Sequence, residues 1–153
     1  MIHNDVLRSV RYLLDVSDGK LVDILRLAGY TVSVADIGHY LKKEEEDSFI
    51  RCPDEVMGHF LDGLVMYKRG KDDSRPPPSL VVPVSNNDVL KKLRVAFELK
   101  EDDVRQLLDS VDFAVSKPEL SALFRKAGHN NFRPCGDQLL RNFLKGLTLR
   151  VRG

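Results

Sequence analysis

The chain has 153 residues, 42% of them hydrophobic and 31% charged, with a net charge of +1. That length can bury a core in one domain or two small ones, and the apolar share is that of a globular chain, not a disordered one. A near-neutral balance excludes a polycation built to coat nucleic acid, no run approaches the length of a membrane span, and Cys52 and Cys135 lack both the number for a disulfide scaffold and the CxxC spacing of a zinc site. The opening Met1-Ile2-His3-Asn4-Asp5 has no basic-then-apolar signal pattern, so the expected location is the cytoplasm.

Residues 4–70 recur at 87–153 without a gap, with 18 identities in 67 positions. Asn4-Asp5-Val6-Leu7 falls on Asn87-Asp88-Val89-Leu90, Arg11 on Arg94, Cys52 on Cys135, Asp54 on Asp137 and Gly63-Leu64 on Gly146-Leu147. A single register held over that length is a duplication. The expected class is all-α: a tandem, pseudo-twofold pair of four-helix, helix-turn-helix-like modules. The expected domains are 4–70, a proline-rich linker over 71–86, and 87–153.

In chain order, the first helix carries the stripe Val6, Leu7, Val10, Leu13, Leu14, and its twin Val89, Leu90, Leu93, Ala96, Phe97. Asn4 and Asn87 are suited to be its N-caps. The second holds Leu21, Val22, Ile24, Leu25 and Ala28 and stops near Gly29; its twin carries Val104, Leu107 and Leu108 behind the acidic turn Glu101-Asp102-Asp103. The third opens with Ser33-x-x-Asp36 or Ser116-x-x-Glu119, a capping-box spacing, and is expected to run to Lys42-Lys43 or Arg125-Lys126. The fourth starts beside Cys52-Pro53-Asp54 or Cys135-Gly136-Asp137 and buries Val56, Phe60, Leu61 and Leu64, or Leu139, Phe143, Leu144 and Leu147. Gly63 and Gly146 sit inside it at about 1 kcal/mol each relative to alanine, which points to a close helix neighbour. The copies are expected to pack on each other through these Phe- and Gly-bearing helices. Between them, Pro76-Pro77-Pro78 favours extended polyproline, and Leu80-Val81-Val82-Pro83-Val84 is apolar enough to lie along a groove of one copy.

Catalytic signals are weak. None of His3, His39, His59 and His129 recurs in the other copy, and GxSxG, P-loop, GxGxxG and HExxH patterns are absent, so the reading leans to a protein that is not an enzyme, with no cofactor and no metal. Cys52 and Cys135 lie beside helix starts, where a thiolate is stabilised, but the better reading is a small buried apolar residue at a helix start. Asp54 and Asp137 read as first-turn partners of the helix dipole.

Cations are more suggestive. They recur at Arg8/Lys91, Arg11/Arg94, Lys42/Arg125, Lys43/Lys126 and Arg69/Arg152. Residues 4–70 carry 9 basic and 12 acidic side chains, net −3, whereas 87–153 carry 13 and 9, net +4. Only the second copy has the sign that grips phosphate. Nucleic-acid binding through Lys91, Lys92, Arg94, Arg125, Lys126, Arg150 and Arg152 is therefore the leading expectation. The alternative is a protein–protein adaptor, in which complementary charges or the apolar linker recruit a protein partner.

The strings Asn4-Asp5-Val6-Leu7-Arg8, Phe49-x-Arg51-Cys52-Pro53-Asp54, Phe60-Leu61-x-Gly63-Leu64, Lys68-Arg69-Gly70-Lys71-Asp72, Asn86-Asn87-x-Val89-Leu90-Lys91-Lys92-Leu93-Arg94 and Asn131-Phe132-Arg133-x-Cys135-Gly136-Asp137-Gln138 together resemble the YehS-like bacterial family over essentially the whole chain. That family is built from the same duplicated domain, of unknown function. The resemblance implies a bacterial, soluble, repeated helical protein, and it carries over no catalytic or binding residue.

Overall fold

The computed structural model describes residues 1–74, 76 and 79–153. Among these residues there are eight α-helices and no strand: α1 His3–Leu14, α2 Asp18–Leu27, α3 Val34–Leu41, α4 Asp54–Arg69, α5 Asn86–Ala96, α6 Glu101–Asp109, α7 Lys117–Leu123 and α8 Asp137–Arg152. They fall into two compact units, Met1–Val84 and Ser85–Gly153, each with four helices in the same order.

In the first unit the stripe of α1 puts Val6, Leu7, Val10 and Leu13 in the core with Leu21, Ile24 and Leu25 of α2, Ile37 of α3, and Val56, Met57, Phe60, Leu61 and Leu64 of α4. The second unit buries Val89, Leu90, Leu93, Val104, Leu108, Leu120, Leu123, Leu140, Phe143 and Leu147 from its own four helices. Backbone detail repeats as well. α1 and α5 are followed at matched positions by Asp15 and Glu98, both left-handed at φ 54°, and α2 and α6 by Gly29 (φ 79°) and Asp112 (φ 58°). The chain thus turns alike in both repeats even where the residue at the turn differs.

Two expectations need correction. Asn4 and Asn87 are not N-caps: those positions belong to Ile2 and Ser85. At the second, Ser85 Oγ accepts from the Asp88 N–H at 3.1 Å and Asp88 Oδ2 accepts from the Ser85 N–H at 2.9 Å. The third helices are shorter than their charge pattern suggests. They end at Leu41 and Leu123, because the carbonyls beyond are taken by side chains of the first helices. The close helix neighbour expected at the glycines of the fourth helices is present within each repeat. A Cβ at Gly63 would lie 2.1 Å from the Ile24 carbonyl oxygen of α2, and one at Gly146 2.4 Å from that of Leu107 in α6.

The apolar linker is seated on the first unit at its two ends, where Leu80 and Val84 sit against Gly58 of α4, while Val81 and Val82 between them are exposed. The counterpart of Gly58 in the second repeat is the exposed Arg141, which would fill that seat. The polyproline expectation rests on Pro77 and Pro78, which lie outside the described residues.

Candidate functional site

The most closely duplicated chemistry is a pair of buried asparagine clamps. Asn4 Nδ2 donates to the carbonyls of Tyr40 and Ile50, both at 2.9 Å, and its Oδ1 accepts from the Cys52 N–H at 2.9 Å. Asn87 repeats this on Leu123 (3.0 Å), Arg133 (2.9 Å) and Cys135 (2.8 Å). Each amide is a full complement of two donors and one acceptor, spent on backbone that no helix satisfies. It ties the first helix to the end of the third and to the entry of the fourth.

The residue just before each clamp reaches the first turn of the fourth helix. His3 Nε2 lies 2.7 Å from Asp54 Oδ1, which also accepts from the Val84 N–H at 3.0 Å. Asn86 Nδ2 donates to Asp137 Oδ1 at 2.8 Å and to the Cys135 carbonyl at 3.0 Å. The His3 contact and then the Val84 N–H hold the Asp54 carboxyl below the usual carboxylate range. Both aspartates fasten chain ends, which extends their expected role at the helix dipole.

Cys52 and Cys135 occupy matching places and are 3% and 6% exposed. Burial, helped by the neighbouring Asp54 and Asp137, pushes their thiols up to about 12 and about 11. Nearness to a helix start is outweighed by lost solvation, so a stabilised thiolate is not formed. At pH 8 the thiolate fraction at Cys52 is about a thousandfold, and at Cys135 about a hundredfold, below that of an exposed cysteine. Both thiols are therefore expected to resist iodoacetamide in the folded protein and to react promptly in urea. Rapid native alkylation of either would contradict this placement.

The sequence-predicted cations divide sharply by what they touch. Lys91 Nζ donates to the Arg125 carbonyl at 3.3 Å, as its twin Arg8 does through Nη1 to the Lys42 carbonyl at 2.8 Å; Arg8 also pairs with Asp5. Arg94 donates through Nε to the Leu99 carbonyl at 3.0 Å and stacks its guanidinium on Phe124, 4.4 Å from the ring centre; its twin Arg11 pairs with Asp18 at 3.1 Å. These side chains hold turns together. Lys92 is half-buried on α5, Arg150 pairs with Asp103 at 3.5 Å, and Arg152 is exposed at the end of α8. Arg125 and Lys126, just beyond α7, are exposed and have no side-chain partner among the described residues. The seven candidates are thus not one cluster: Lys91 joins Arg125 and Lys126 at the end of α7, while Arg150 and Arg152 belong to the last turn of α8.

Sequence reasoning missed two cations beside Arg125. Lys117 and Arg133 line the same cleft on the outer face of α7. Matching the repeats passes over them, because their counterparts are Val34 and Ile50. Among the described residues no three His, Cys, Asp or Glu side chains gather where a metal ion could sit, and no helix is long and apolar enough to cross a membrane.

A family model described as "Protein of unknown function (DUF1456)" matches the chain twice, over residues 3–70 and 86–153. The "Uncharacterized protein YehS" of Escherichia coli (strain K12) is 49% identical over 150 residues, covering 98% of this chain and 96% of that protein. No solved structure matches. Two family domains in tandem, each closed by its own asparagine clamp, account for nearly every residue: the chain belongs to the DUF1456 family.

Proposed function

We propose that the chain is a nucleic-acid-binding module, without catalytic activity of its own, whose second repeat grips the phosphate backbone. The observation that carries this reading is the pair of exposed cations Arg125 and Lys126, whose side chains have no partner among the described residues, on the repeat whose net charge is +4. Cations already bound to carboxylates or carbonyls share their donors with those partners; the side chains of these two have all their donors available for phosphate. Their position just after α7 places them beside the helix that a helix-turn-helix reader would present to a groove.

The test is fluorescence anisotropy of labelled random-sequence duplex and single-stranded DNA across a salt series, with the full chain. Expected is affinity that falls log-linearly with salt, with a slope of about 0.9 per neutralised duplex phosphate. Arg125→Ala/Lys126→Ala should weaken binding roughly tenfold at low salt and lower the slope by about 2. Alanine at Lys91 or Arg94 is a poor probe, since each also frees a carbonyl. No binding by the natural chain at low salt would overturn the reading, and protein partners would then be sought.

A further inference from the structure

The outer face of α7 carries a cleft that differs in kind from its counterpart in the first repeat. Lys117, Arg125 and Arg133 line it together with Glu119, Ser121 and Asn131. The Lys117 ammonium and the Arg125 guanidinium have no hydrogen-bond or ion-pair partner among the described residues, and the Asn131 side-chain amide is likewise uncommitted. Arg133 is paired with Glu119 at 2.5 Å, with both side chains about half exposed. One carboxylate therefore faces three cations, leaving the cleft a net +2.

The cations also stand on fixed backbone. The Arg133 N–H donates to the Ala122 carbonyl at 3.1 Å and its own carbonyl is held by Asn87 at 2.9 Å. The Arg125 carbonyl is held by Lys91. Charges mounted on pinned backbone lose little entropy on meeting a ligand. An arginine guanidinium supplies several N–H donors, so Arg133 can keep Glu119 on one edge and offer the other to an oxyanion. An exposed ion pair of this kind is weak in water, and so it is readily exchanged.

The first repeat supplies the comparison. At the positions of Lys117, Arg125 and Arg133 it has Val34, Lys42 and Ile50, and the two apolar side chains are 54% and 46% exposed. A backbone shared by both repeats thus bears a cationic cleft in only one of them. The fold does not require charge there, which leaves these cations available to a ligand.

We infer that the Lys117–Arg125–Arg133 cleft is a phosphate-binding subsite, which seats a phosphodiester group of the nucleic-acid backbone against the outer face of α7. This rests on the nucleic-acid reading above and deepens it by adding Lys117 and Arg133, with Asn131 as a neutral donor. Recognition there is of phosphate and not of base edges, because no polar side chain of the cleft other than Ser121 and Asn131 is uncharged, and Ser121 donates to Glu101 at 3.2 Å.

The experiment compares two full-length variants of equal charge loss in the same salt series on labelled DNA. Lys117→Gln/Arg133→Gln removes two of the three cations of the cleft and keeps Arg125 and Lys126; Arg141→Gln/Lys145→Gln removes two exposed cations of α8. The cleft variant should bind about tenfold more weakly at low salt, with a slope lower by about 2, while the α8 variant stays within about twofold of the natural chain. Lys117→Gln alone breaks no contact, so a partial loss with unchanged circular dichroism separates binding from folding. Equal losses in the two double variants would overturn the subsite and leave the nucleic-acid reading standing. Failure of the natural chain to bind would overturn that reading as well.

Discussion

Replacing Asn87 by alanine is expected to destabilise the second repeat by about 3–5 kcal/mol, a large part of what a small domain has. Asn87 is 6% exposed, and its amide is the hydrogen-bond partner of the Leu123 and Arg133 carbonyls and of the Cys135 N–H. Alanine leaves all three without that partner. Each orphaned buried group costs about 1–3 kcal/mol, and the three share one segment, so their costs do not simply add. Asn4→Ala should act alike in the first repeat, where the clamped residues are Tyr40, Ile50 and Cys52. The sharper variant is Asn87→Asp, which keeps size and the acceptor for Cys135 but turns a carboxylate toward two carbonyl oxygens. It should be no better tolerated than alanine. Urea unfolding followed by circular dichroism measures both, and a loss below about 1 kcal/mol in Asn87→Ala would show that the clamp is dispensable.

The clamp also shows where the sequence was readable and where it was not. Periodicity places the helices, because an apolar stripe of 3.6-residue period has few other ways to be buried. It located Val6, Leu7, Val10 and Leu13 of α1 and Phe60, Leu61 and Leu64 of α4 in the core without reference to any partner. Asn4 and Asn87 stood out as identical residues at a helix start, and a cap is the local explanation for that. Their real partners lie 36 to 48 residues away in sequence, and no local rule specifies them. One local signal would have helped: Ser85-x-x-Asp88 has capping-box spacing and moves Asn87 inside the helix. The basic residues show the same limit. Lys91 and Arg94 look identical to Arg125 and Lys126 in a charge count, yet the first pair is committed to carbonyls at turns and the second is not. Comparing the repeats also selects what both copies need to fold. A site acquired by one copy, such as Lys117 and Arg133, is by construction what such a comparison discards.

Gly63→Ala and Gly146→Ala are each expected to cost about 3 kcal/mol or more, although helix propensity alone predicts a gain of about 1 kcal/mol. The sign reverses because of what the new methyl group meets. At Gly63 it would lie 2.1 Å from the Ile24 carbonyl oxygen and 2.9 Å from its carbon, and at Gly146 2.4 and 2.9 Å from those of Leu107. These are backbone atoms within α2 and α6, and a helix carbonyl cannot step aside without carrying its helix along. Gly58 is the control within the same helix α4. There the nearest atom to an added Cβ, at 2.2 Å, is Leu80 Cδ1, the tip of a flexible side chain. Gly58→Ala should accordingly stay within about 1 kcal/mol of the natural chain, the propensity gain offsetting a shifted linker contact. Thermal unfolding of the three variants side by side decides the matter. If all three behave alike, helix propensity governs these positions and the close approach of α2 to α4 is not what glycine provides. If Gly63 and Gly146 fail while Gly58 holds, identity between the repeats follows backbone-to-backbone contact. That accounts for Gly63 persisting as Gly146 while Gly58, which faces only a side chain, is matched by Arg141.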